Sequence, residues 1–454
     1  MMESTLAYAV ESMRGTLHGE NVAFCGVSSD SRTLRSGELF FALQGPNFDG
    51  TEFVSMAAKR QAAGAVVQKM VNTELPIIVV DDTLKALGEL AAAWRKQMPA
   101  RVIGITGSNG KTTLKELVAS CLSLSAKTLA TLGNLNNEIG MPLMLLRLAP
   151  EHRYAVIEMG ANHAGEIAYL TSLAEPEIVA ITNAAPAHLE GFGSLEGVVR
   201  AKAEILTDAV RPQFTILNAD DESYAFWLAK VTDTTTLSFG FAAAADVRAS
   251  DVAATESGST FSLHMPDCDL QIDLPLQGAH NVMNACAAAA IACALDIDPG
   301  QIKQGLESVQ PVAGRLQPVR SVSGATLYDD SYNANPLSVA AAAAFLASQS
   351  GDTWLVLGDM AELGSESAAL HKQSGSLAKQ MGVTHLLATG ELSRHAVAAF
   401  GSGGQWVASV DDVIDELQRS LSCDEYVLVK GSRSMGMERV VGALRESAAT
   451  AGGG

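Results

Sequence analysis

A glycine-rich segment near residue 107 has the residue types needed to hold a nucleotide phosphate. Residues 101–113 read Arg-Val-Ile-Gly-Ile-Thr-Gly-Ser-Asn-Gly-Lys-Thr-Thr. When a strand leads through a glycine-rich turn into a helix, several backbone N–H groups of the turn and the first helical residues remain unpaired. These groups and the positive end of the helix dipole can bind a phosphate. The lysine can neutralise the β- and γ-phosphates, and the next hydroxyl can bind Mg²⁺. The segment therefore predicts a nucleoside triphosphate site.

This phosphate loop (residues 106–113) departs from the strict pattern, which has a glycine where this chain has Ile105. The alternative is a glycine- and serine-rich turn with a surface lysine. In the nucleotide interpretation Lys111 is catalytic and Thr112 is also a metal ligand. The loop residues predicted to bind the nucleotide are Gly107, Ser108, Asn109, Gly110, Lys111, Thr112 and Thr113.

Polar residues follow several predicted strands downstream. Glu158 ends the apolar run 154–158, and a carboxylate at that end of a strand can bind Mg²⁺ beside a phosphate. A solvated glutamate is the alternative. His188 follows the strand predicted at 178–182 and could either ligate a metal or cap a loop. Lys202 lies in a helical segment, where the sequence alone favours a solvated helix face.

Two asparagine-rich segments could contact a substrate. Asn134, Asn136 and Asn137 form a polar stretch that could bind a ligand or simply turn the chain. Residues 328–336 read Tyr-Asp-Asp-Ser-Tyr-Asn-Ala-Asn-Pro after a predicted strand. Their carboxylates and amides could hydrogen-bond a ribose or a substrate, and the alternative is a capping loop before the next helix.

Composition limits the class of protein. The 454 residues are enough for about three domains of about 150 residues. A formal charge of −19 argues against nucleic acid or an anionic membrane as partner. The six cysteines form no C-x-x-C pair, which suits a reducing compartment without a zinc site or disulfides. The N-terminus lacks the features of a secretory signal, and no apolar run reaches the length of a membrane span. We expect a cytoplasmic protein.

The strand and helix patterns predict an α/β protein of three domains. Residues 1–98 form a small α/β domain, residues 99–312 a central phosphate-loop domain with a parallel sheet, and residues 313–454 a Rossmann-like, doubly wound domain. The alternating, polar stretch 236–275 indicates an antiparallel addition to the central sheet.

Together these segments resemble the Mur ligase family, the ATP-dependent amide-forming ligases of peptidoglycan precursor synthesis. Thr-Gly-Ser-Asn-Gly-Lys-Thr-Thr at 106–113 matches the family's form of the phosphate loop. Residues 278–284, Gly-Ala-His-Asn-Val-Met-Asn, resemble the adenine-side motif and imply a contact from Asn281. Gly314-Arg315-Leu316 resembles the segment whose arginine meets the phosphates from across a domain interface.

The resemblance extends to the N-terminal domain. Residues 30–45 with Asp49-Gly50 are similar to the uridine-binding segment of members that act late in the pathway. This similarity implies that the first domain binds the UDP-linked substrate. The implied substrate contacts are Ser31, Arg32, Gly45 and Asp49.

Residues 328–336, 357–364 and 430–438 resemble the members that join D-alanyl-D-alanine to UDP-N-acetylmuramoyl-tripeptide. The Asp-Asn-Pro-Arg motif of the sister ligase that adds the third residue does not occur. The resemblance implies that Asp330 contacts the nucleotide, although Tyr332 stands where some relatives have a nucleotide-contacting lysine. Substrate contacts are implied for Asn134, Asn136, Asn137, Asn333 and Asn335.

The resemblance also implies a mechanism and its cofactors. ATP and Mg²⁺ would be used to form an acyl phosphate, with Thr112, Glu158, His188 and Lys202 as metal-binding residues and with Lys111, Lys202 and His188 as catalytic ones. Lys202 would be carbamoylated, as is common in the family. We expect a monomer with UDP-MurNAc-tripeptide, D-Ala-D-Ala and ATP as substrates. The alternatives are another Mur-type amino-acid ligase, or a phosphate-loop phosphotransferase or ATPase. The sequence does not distinguish diaminopimelate from lysine as the third peptide residue.

Overall fold

The computed structural model describes residues 2–45, 48–206 and 211–446 of the chain. Each of its three domains has a mostly parallel sheet combined with helices. The predicted α/β class is therefore confirmed. The predicted domain boundaries, which divide the chain into 1–98, 99–312 and 313–454, stay predictions.

The N-terminal domain combines short strands with helices. Its elements are β1 (Glu3–Thr5), α1 (Leu6–Met13), β2 (Thr16–His18), β3 (Ala23–Cys25), β4 (Val27–Ser28), β5 (Leu39–Phe41), β6 (Gln44–Gly45), β7 (Phe48–Asp49), a 3₁₀ turn (Gly50–Phe53), α2 (Val54–Lys59), β8 (Gly64–Val67), β9 (Ile77–Val79) and α3 (Thr83–Lys96). The main sheet has the order β2-β9-β8-β5-β4, with only β2 antiparallel to its neighbour.

The central domain follows the phosphate-loop pattern of strand, turn and helix. Its elements are β10 (Arg101–Thr106), α4 (Lys111–Ser123), β11 (Thr128–Ala130), α5 (Gly140–Leu145), β12 (Tyr154–Glu158), α6 (Glu166–Ala174), β13 (Ile178–Ile181), α7 (Leu189–Phe192), α8 (Leu195–Ala203), β14 (Phe214–Asn218), α9 (Tyr224–Leu228), β15 (Thr235–Gly240), β16 (Val247–Ala254), β17 (Ser259–His264), β18 (Asp269–Leu274), α10 (Ala279–Ala294) and α11 (Pro299–Ser308).

The central sheet has the order β11-β12-β10-β13-β14-β15-β16-β17-β18. The antiparallel addition predicted over 236–275 is correct for β17 and β18, which pair antiparallel with their neighbours. It is wrong for β15, which joins β14 in parallel, and β16 in turn is parallel to β15. Alternating polarity indicates that one face of a strand is solvated, and it carries no information about strand direction.

The C-terminal domain alternates strands and helices as predicted. Its elements are β19 (Gln317–Arg320), β20 (Thr326–Asp330), α12 (Pro336–Ala347), β21 (Thr353–Leu357), α13 (Ser367–Met381), β22 (His385–Thr389), α14 (Ser393–Phe400), β23 (Gly404–Val407), α15 (Val410–Ser420), β24 (Tyr426–Lys430) and α16 (Glu438–Leu444). The sheet order is β19-β20-β24-β21-β22-β23, and every neighbouring pair is parallel except β19 with β20.

The strand ends place polar residues at one edge of the central sheet and of the C-terminal sheet. β10 ends at Thr106, β12 at Glu158, β20 at Asp330 and β24 at Lys430. Ligands bind in α/β proteins at this carboxyl edge. Within the described ranges, no helix has both the length and the apolar character needed to cross a bilayer.

Candidate active site

The phosphate loop has a backbone that only glycine suits at two positions. Gly107 and Gly110 have φ of 143° and 82°, in the region that favours glycine. A Cβ on Gly107 would lie 1.8 Å from Thr182 Oγ1, and one on Gly110 would lie 2.5 Å from Asn284 Oδ1. Gly110 is also the N-cap of α4, and no side chain caps that helix end. The N-cap residue of α4 therefore has no side chain that occupies the first N–H groups of the helix, as an anion site requires.

Lys111 lies inside this loop. Its Nζ donates to the carbonyls of Gly107 at 2.7 Å and Ser108 at 3.2 Å. Burial lowers the pKa of Lys111, although the negative charge of Glu158 opposes this shift. The ammonium group is thus held beside the helix N-terminus, where it could meet phosphoryl oxygens.

Two residues that the sequence analysis did not select hold Asn109 in place. Thr182 Oγ1 donates to the Asn109 carbonyl at 2.6 Å, and the Asn183 side chain bonds both the N–H of Asn109 at 3.0 Å and its carbonyl at 3.2 Å. Both residues directly follow β13. That position, at the carboxyl edge next to β10, was the signal that could have identified them.

Thr112, Glu158 and Asn136 form a chain of polar contacts. Thr112 Oγ1 donates to Glu158 Oε2 at 2.9 Å, and Asn136 Nδ2 donates to Glu158 Oε1 at 2.8 Å. Glu158 is 2% exposed, so the solvated alternative for it is wrong. A buried carboxylate and a hydroxyl beside a phosphate loop are the hard oxygen donors that Mg²⁺ prefers.

The Thr112 hydroxyl and the Glu158 carboxylate suit Mg²⁺ better than they suit a metal ion held entirely by protein ligands. Among the residues that the structure describes, no three or more His, Cys, Asp or Glu side chains form a group able to hold a metal ion. Mg²⁺ commonly takes one or two protein ligands and completes its shell with substrate phosphates and water. Thr112 and Glu158 supply that number.

The C-terminal domain extends an arginine into this cluster. Arg315 Nη2 donates to Thr112 Oγ1 at 2.9 Å, and its guanidinium carbon lies 4.4 Å from the ring centroid of Tyr332. Tyr332 is thus a contact of Arg315, a role that the sequence analysis missed. A guanidinium stacked on an aromatic ring keeps its N–H groups free for phosphate.

Asp330 is held by its neighbours. Its Oδ2 accepts from Lys430 Nζ at 2.7 Å, and its Oδ1 accepts from the N–H of Leu316 at 3.2 Å. Lys430 is 3% exposed and also donates to the carbonyl of Asn333 at 2.9 Å. The ion pair therefore joins the ends of β20 and β24.

Asn335 connects the phosphate loop with α12. Its Nδ2 donates to Asn109 Oδ1 at 2.7 Å, and its Oδ1 accepts from the N–H of Ser338 at 2.9 Å in a capping box. The capping alternative is therefore correct for Asn335. Asn333 Oδ1 accepts from the next N–H, that of Ala334, at 2.9 Å.

His188 lies between the central and C-terminal domains. Its backbone is left-handed, with φ of 54°, at the N-cap of α7, but its side chain makes no capping bond. The ring Nδ1 instead bonds Glu362 Oε2. Burial lowers the pKa of His188, while the carboxylate of Glu362 opposes that shift. The loop-capping alternative is therefore wrong for this side chain.

Lys202 is buried, contrary to the expectation of a solvated helix face. The residue is 2% exposed, and its Nζ lies 5.3 Å from the ring centroid of Phe192. Burial and then the positive charge of Lys111 lower the pKa of Lys202 to about 7. A local helical pattern did not reveal this environment because α7, packed against α8, supplies the covering ring.

The predicted uridine-side residues form a separate group. Arg32 pairs with Asp30 at 2.9 Å with its side chain 82% exposed, and Ser31 Oγ donates to Met56 Sδ at 3.4 Å. Asp49 Oδ1 accepts from Thr51 N–H at 2.9 Å, and Gly45 ends β6. Among the described residues, no hydrogen bond or ion pair joins Ser31, Arg32, Gly45 or Asp49 to the phosphate loop.

Of the remaining predicted residues, Asn281 is buried at the start of α10, and the asparagines near residue 136 make local turn contacts. Asn281 is buried, its Nδ2 donates to the Gln277 carbonyl at 2.8 Å, and its Oδ1 accepts from Asn284 Nδ2 at 3.3 Å. Asn137 Oδ1 accepts from the N–H of Gly140 at 2.9 Å, as in a simple turn. The Asn134 carbonyl accepts from the N–H of Asn136 at 2.8 Å.

Three family models match consecutive parts of the chain. They are described as Mur ligase family, catalytic domain, over residues 24–95; Mur ligase middle domain, over 105–292; and Mur ligase, glutamate ligase domain, over 314–433. The matches follow the order of the three domains.

Relatives are similar over nearly the whole length. The UDP-N-acetylmuramoyl-tripeptide--D-alanyl-D-alanine ligase of Escherichia coli strain K12 is 43% identical over 450 residues, which cover 98% of this chain and 99% of that protein. The ligase of the same name from Bacillus subtilis strain 168 is 33% identical and covers 98% and 99%.

Solved structures agree with the fold. A crystal structure of MurF from Acinetobacter baumannii superposes with a TM-score of 0.91 at 34% identity, covering 97% of this chain and 98% of that one. The MurF ligase of Thermotoga maritima in complex with ADP superposes with a TM-score of 0.81 at 25% identity, covering 92% and 96%.

Proposed function

The chain belongs to the Mur ligase family, and we propose that it joins D-alanyl-D-alanine to UDP-N-acetylmuramoyl-tripeptide while ATP is converted to ADP and phosphate. The observation that carries the proposal is the meeting of Lys111, Thr112 and Glu158 with Arg315 of the C-terminal domain. Relatives of this name cover the full chain. The product is UDP-MurNAc-pentapeptide, used for peptidoglycan synthesis.

The chemistry requires activation of a carboxylate, which is a poor electrophile because its charge is delocalised. Transfer of the γ-phosphoryl group of ATP to the terminal carboxylate of the tripeptide gives an acyl phosphate and ADP. The amine of D-Ala-D-Ala attacks the acyl carbon, the amine loses a proton, and phosphate leaves. The protein contributes positioning and compensation of charge on the phosphoryl oxygens.

Each residue of the cluster has a proposed part in this work. The N–H groups at the start of α4 and the ammonium of Lys111 bind the phosphates, and Arg315 approaches the same oxygens from the other domain. Asn281 and Asp330 are proposed to contact the adenine and ribose sides. Thr112 and Glu158 would hold Mg²⁺, which when bound neutralises phosphate charge.

The buried amine of Lys202 is suited to carbamoylation. With a pKa of about 7, much of it is unprotonated near neutral pH. An unprotonated amine adds to CO₂ and loses a proton, which forms an N–C bond and leaves a carbamate. Its negative charge would offset the nearby charge of Lys111, and its oxygens together with His188 would suit a second Mg²⁺.

The domains have separate proposed roles. Ser31, Arg32, Gly45 and Asp49 would bind the uridine nucleotide in residues 1–98, ATP would bind mainly to residues 99–312, and residues 313–454 would hold the dipeptide with Asn333 and Asn335. Asn134, Asn136 and Asn137 would contact the peptide substrate. Domain closure would keep water from the acyl phosphate. We expect a monomeric, cytoplasmic enzyme.

Mass spectrometry of the products tests this proposal. The full chain is incubated with UDP-MurNAc-tripeptide, D-Ala-D-Ala and ATP-Mg²⁺, with diaminopimelate and lysine tripeptides compared. The expected product is the pentapeptide, with ADP release that depends on the dipeptide. ADP release without the dipeptide and without an amide product would instead indicate a phosphotransferase or ATPase.

A further inference from the structure

Two residues with left-handed backbone conformations face each other across the interface between the central and C-terminal domains. His188 has φ of 54° just before α7, and Glu362 has φ of 61° in the loop after β21. Neither is glycine, and non-glycine residues in this region are strained. Such residues cluster at functional sites, where the surrounding structure holds them in place.

Side-chain and backbone hydrogen bonds connect these two segments. Glu362 Oε2 bonds His188 Nδ1, and the carbonyl of Glu362 accepts from the N–H of Glu190 at 3.1 Å. A Cβ on Gly364 would lie 3.7 Å from the Cα of Glu190. The two backbone segments are therefore also close at a position that these hydrogen bonds do not involve. Glu362 is therefore placed by its own loop and by the chain around His188.

The contact is only partly buried, so we expect it to contribute little to the stability of the fold. The side chain of Glu362 is 50% exposed and that of His188 is 27% exposed. Exposed ion pairs contribute little to folding because water screens them and two side chains must be ordered. The contact with Glu362 instead fixes the orientation of the His188 ring. That ring also makes an edge contact with Phe192 at 6.5 Å between centroids. Phe192 is the same ring that Lys202 contacts.

An ionised carboxylate is only an acceptor, so the nitrogen that it contacts must carry the proton. A histidine that donates from Nδ1 then has its lone pair on Nε2. We propose that Glu362 is a positioning residue that keeps the proton of His188 on Nδ1, so that the lone pair of Nε2 is available to the reaction. This inference rests on the proposed ligase function for its kinetic consequence, but the proton position is independent of that function.

NMR of the full chain labelled with ¹⁵N-histidine tests the proton position. Two-bond ¹H–¹⁵N spectra distinguish a protonated Nδ1 from a protonated Nε2, and His188→Asn identifies the His188 signals by their loss. We expect an Nδ1–H ring in the wild type and in Glu362→Gln, whose amide oxygen still accepts, and a predominantly Nε2–H ring in Glu362→Ala. Glu391→Ala is the control, because Glu391 is an exposed residue of the same domain whose side chain pairs with Arg394.

Kinetics test the consequence. We expect Glu362→Ala to lower kcat by on the order of tenfold to a hundredfold, the effect usual for partners that orient a functional histidine. The KM for ATP should change by less than about twofold, because Lys111 and the phosphate loop are untouched. Glu362→Gln should recover most of kcat, and Glu391→Ala should match the wild type.

The outcomes separate the two claims. A wild-type ring protonated on Nε2, a Glu362→Ala spectrum equal to that of the wild type, or a Glu362→Gln variant as defective as Glu362→Ala would overturn the positioning role. A wild type that forms no amide would overturn the ligase proposal while the spectra still decided the position of the proton. An active wild type with an equally active Glu362→Ala would overturn the positioning role alone.

Discussion

Asn109 in the phosphate loop and Asn335 at the start of α12 donate side-chain hydrogen bonds to each other. Asn335 Nδ2 donates to Asn109 Oδ1 at 2.7 Å, and Asn109 Nδ2 donates to Asn335 Oδ1 at 3.3 Å. Because Asn335 also caps α12, a single side chain connects the start of a helix in one domain with the phosphate loop in another.

Substitutions at Asn335 separate its two contacts. Asp can still cap α12 but cannot donate to Asn109, so Asn335→Asp should leave the melting temperature nearly unchanged and lower kcat/KM for ATP by on the order of tenfold. Asn335→Ala loses both contacts and should also lose about 1 kcal/mol of stability. Calorimetry and steady-state kinetics measure the two effects. Full activity in Asn335→Asp would show that the amide pair is not needed.

Lys111→Ala should abolish turnover and leave the fold intact. Among the described residues its ammonium bonds carbonyls of its own loop alone, and the charge matters most in the transition state. We expect a loss on the order of a thousandfold or more in kcat, with an unchanged circular dichroism spectrum. A variant that keeps more than about a tenth of the activity would remove Lys111 from the mechanism.

Arg32→Ala should weaken binding of the UDP-linked substrate more than binding of ATP. Arg32 is exposed, and within the described part of the chain its side chain bonds Asp30 alone, so its removal should have little effect on stability. The measurement is KM for each substrate. The control is Arg419→Ala, another exposed arginine that pairs with an acidic residue nearby in sequence. Equal effects of Arg32→Ala on both KM values would contradict the assignment.

Lys202→Ala should be almost inactive, and formate or acetate should restore part of the activity by supplying a carboxylate in the vacated space. Lys202→Arg should be as inactive as Lys202→Ala, because a guanidinium keeps the charge and cannot form a carbamate. Activity assays with and without the small acids, together with intact-mass measurement in bicarbonate, check both claims. An active arginine variant would exclude the carbamate.

The lowered pKa of Lys202 predicts how stability depends on pH. Between about 7, the pKa in the folded chain, and 10.5, its ordinary value, the unfolded chain binds the proton more strongly. Stability of the unmodified protein should therefore rise with pH through this window, by at most about 1.4 kcal/mol per pH unit, and the pH dependence due to Lys202 should be absent below it.

Urea unfolding in CO₂-free buffer measures this dependence. Lys202→Met removes the titrating group and provides the reference. We expect the free energy of unfolding of the wild type, relative to that of Lys202→Met, to be constant below pH 7 and to increase from pH 7 to pH 9. A constant difference over the whole range would mean that Lys202 keeps an ordinary pKa.

The local chemistry of this protein was readable from its sequence. The phosphate loop depends on consecutive residues, and the strand at 154–158 has the predicted bounds. Glu158 was predicted at a strand end beside that loop, because parallel strands present their carboxyl ends at one edge. Such features follow from local patterns of polarity and from glycine positions, so one sequence is sufficient to find them.

Tertiary structure alone decided the contacts between distant segments. His188 and Glu362 are separated by 174 positions, and Asn109 and Asn335 by 226. Lys202 has the sequence of a solvated helix face and is nevertheless buried near Phe192, and β15 alternates in polarity and nevertheless joins its sheet in parallel. Burial, ion pairing and strand direction depend on which segments the fold brings together, and local periodicity does not encode those partners.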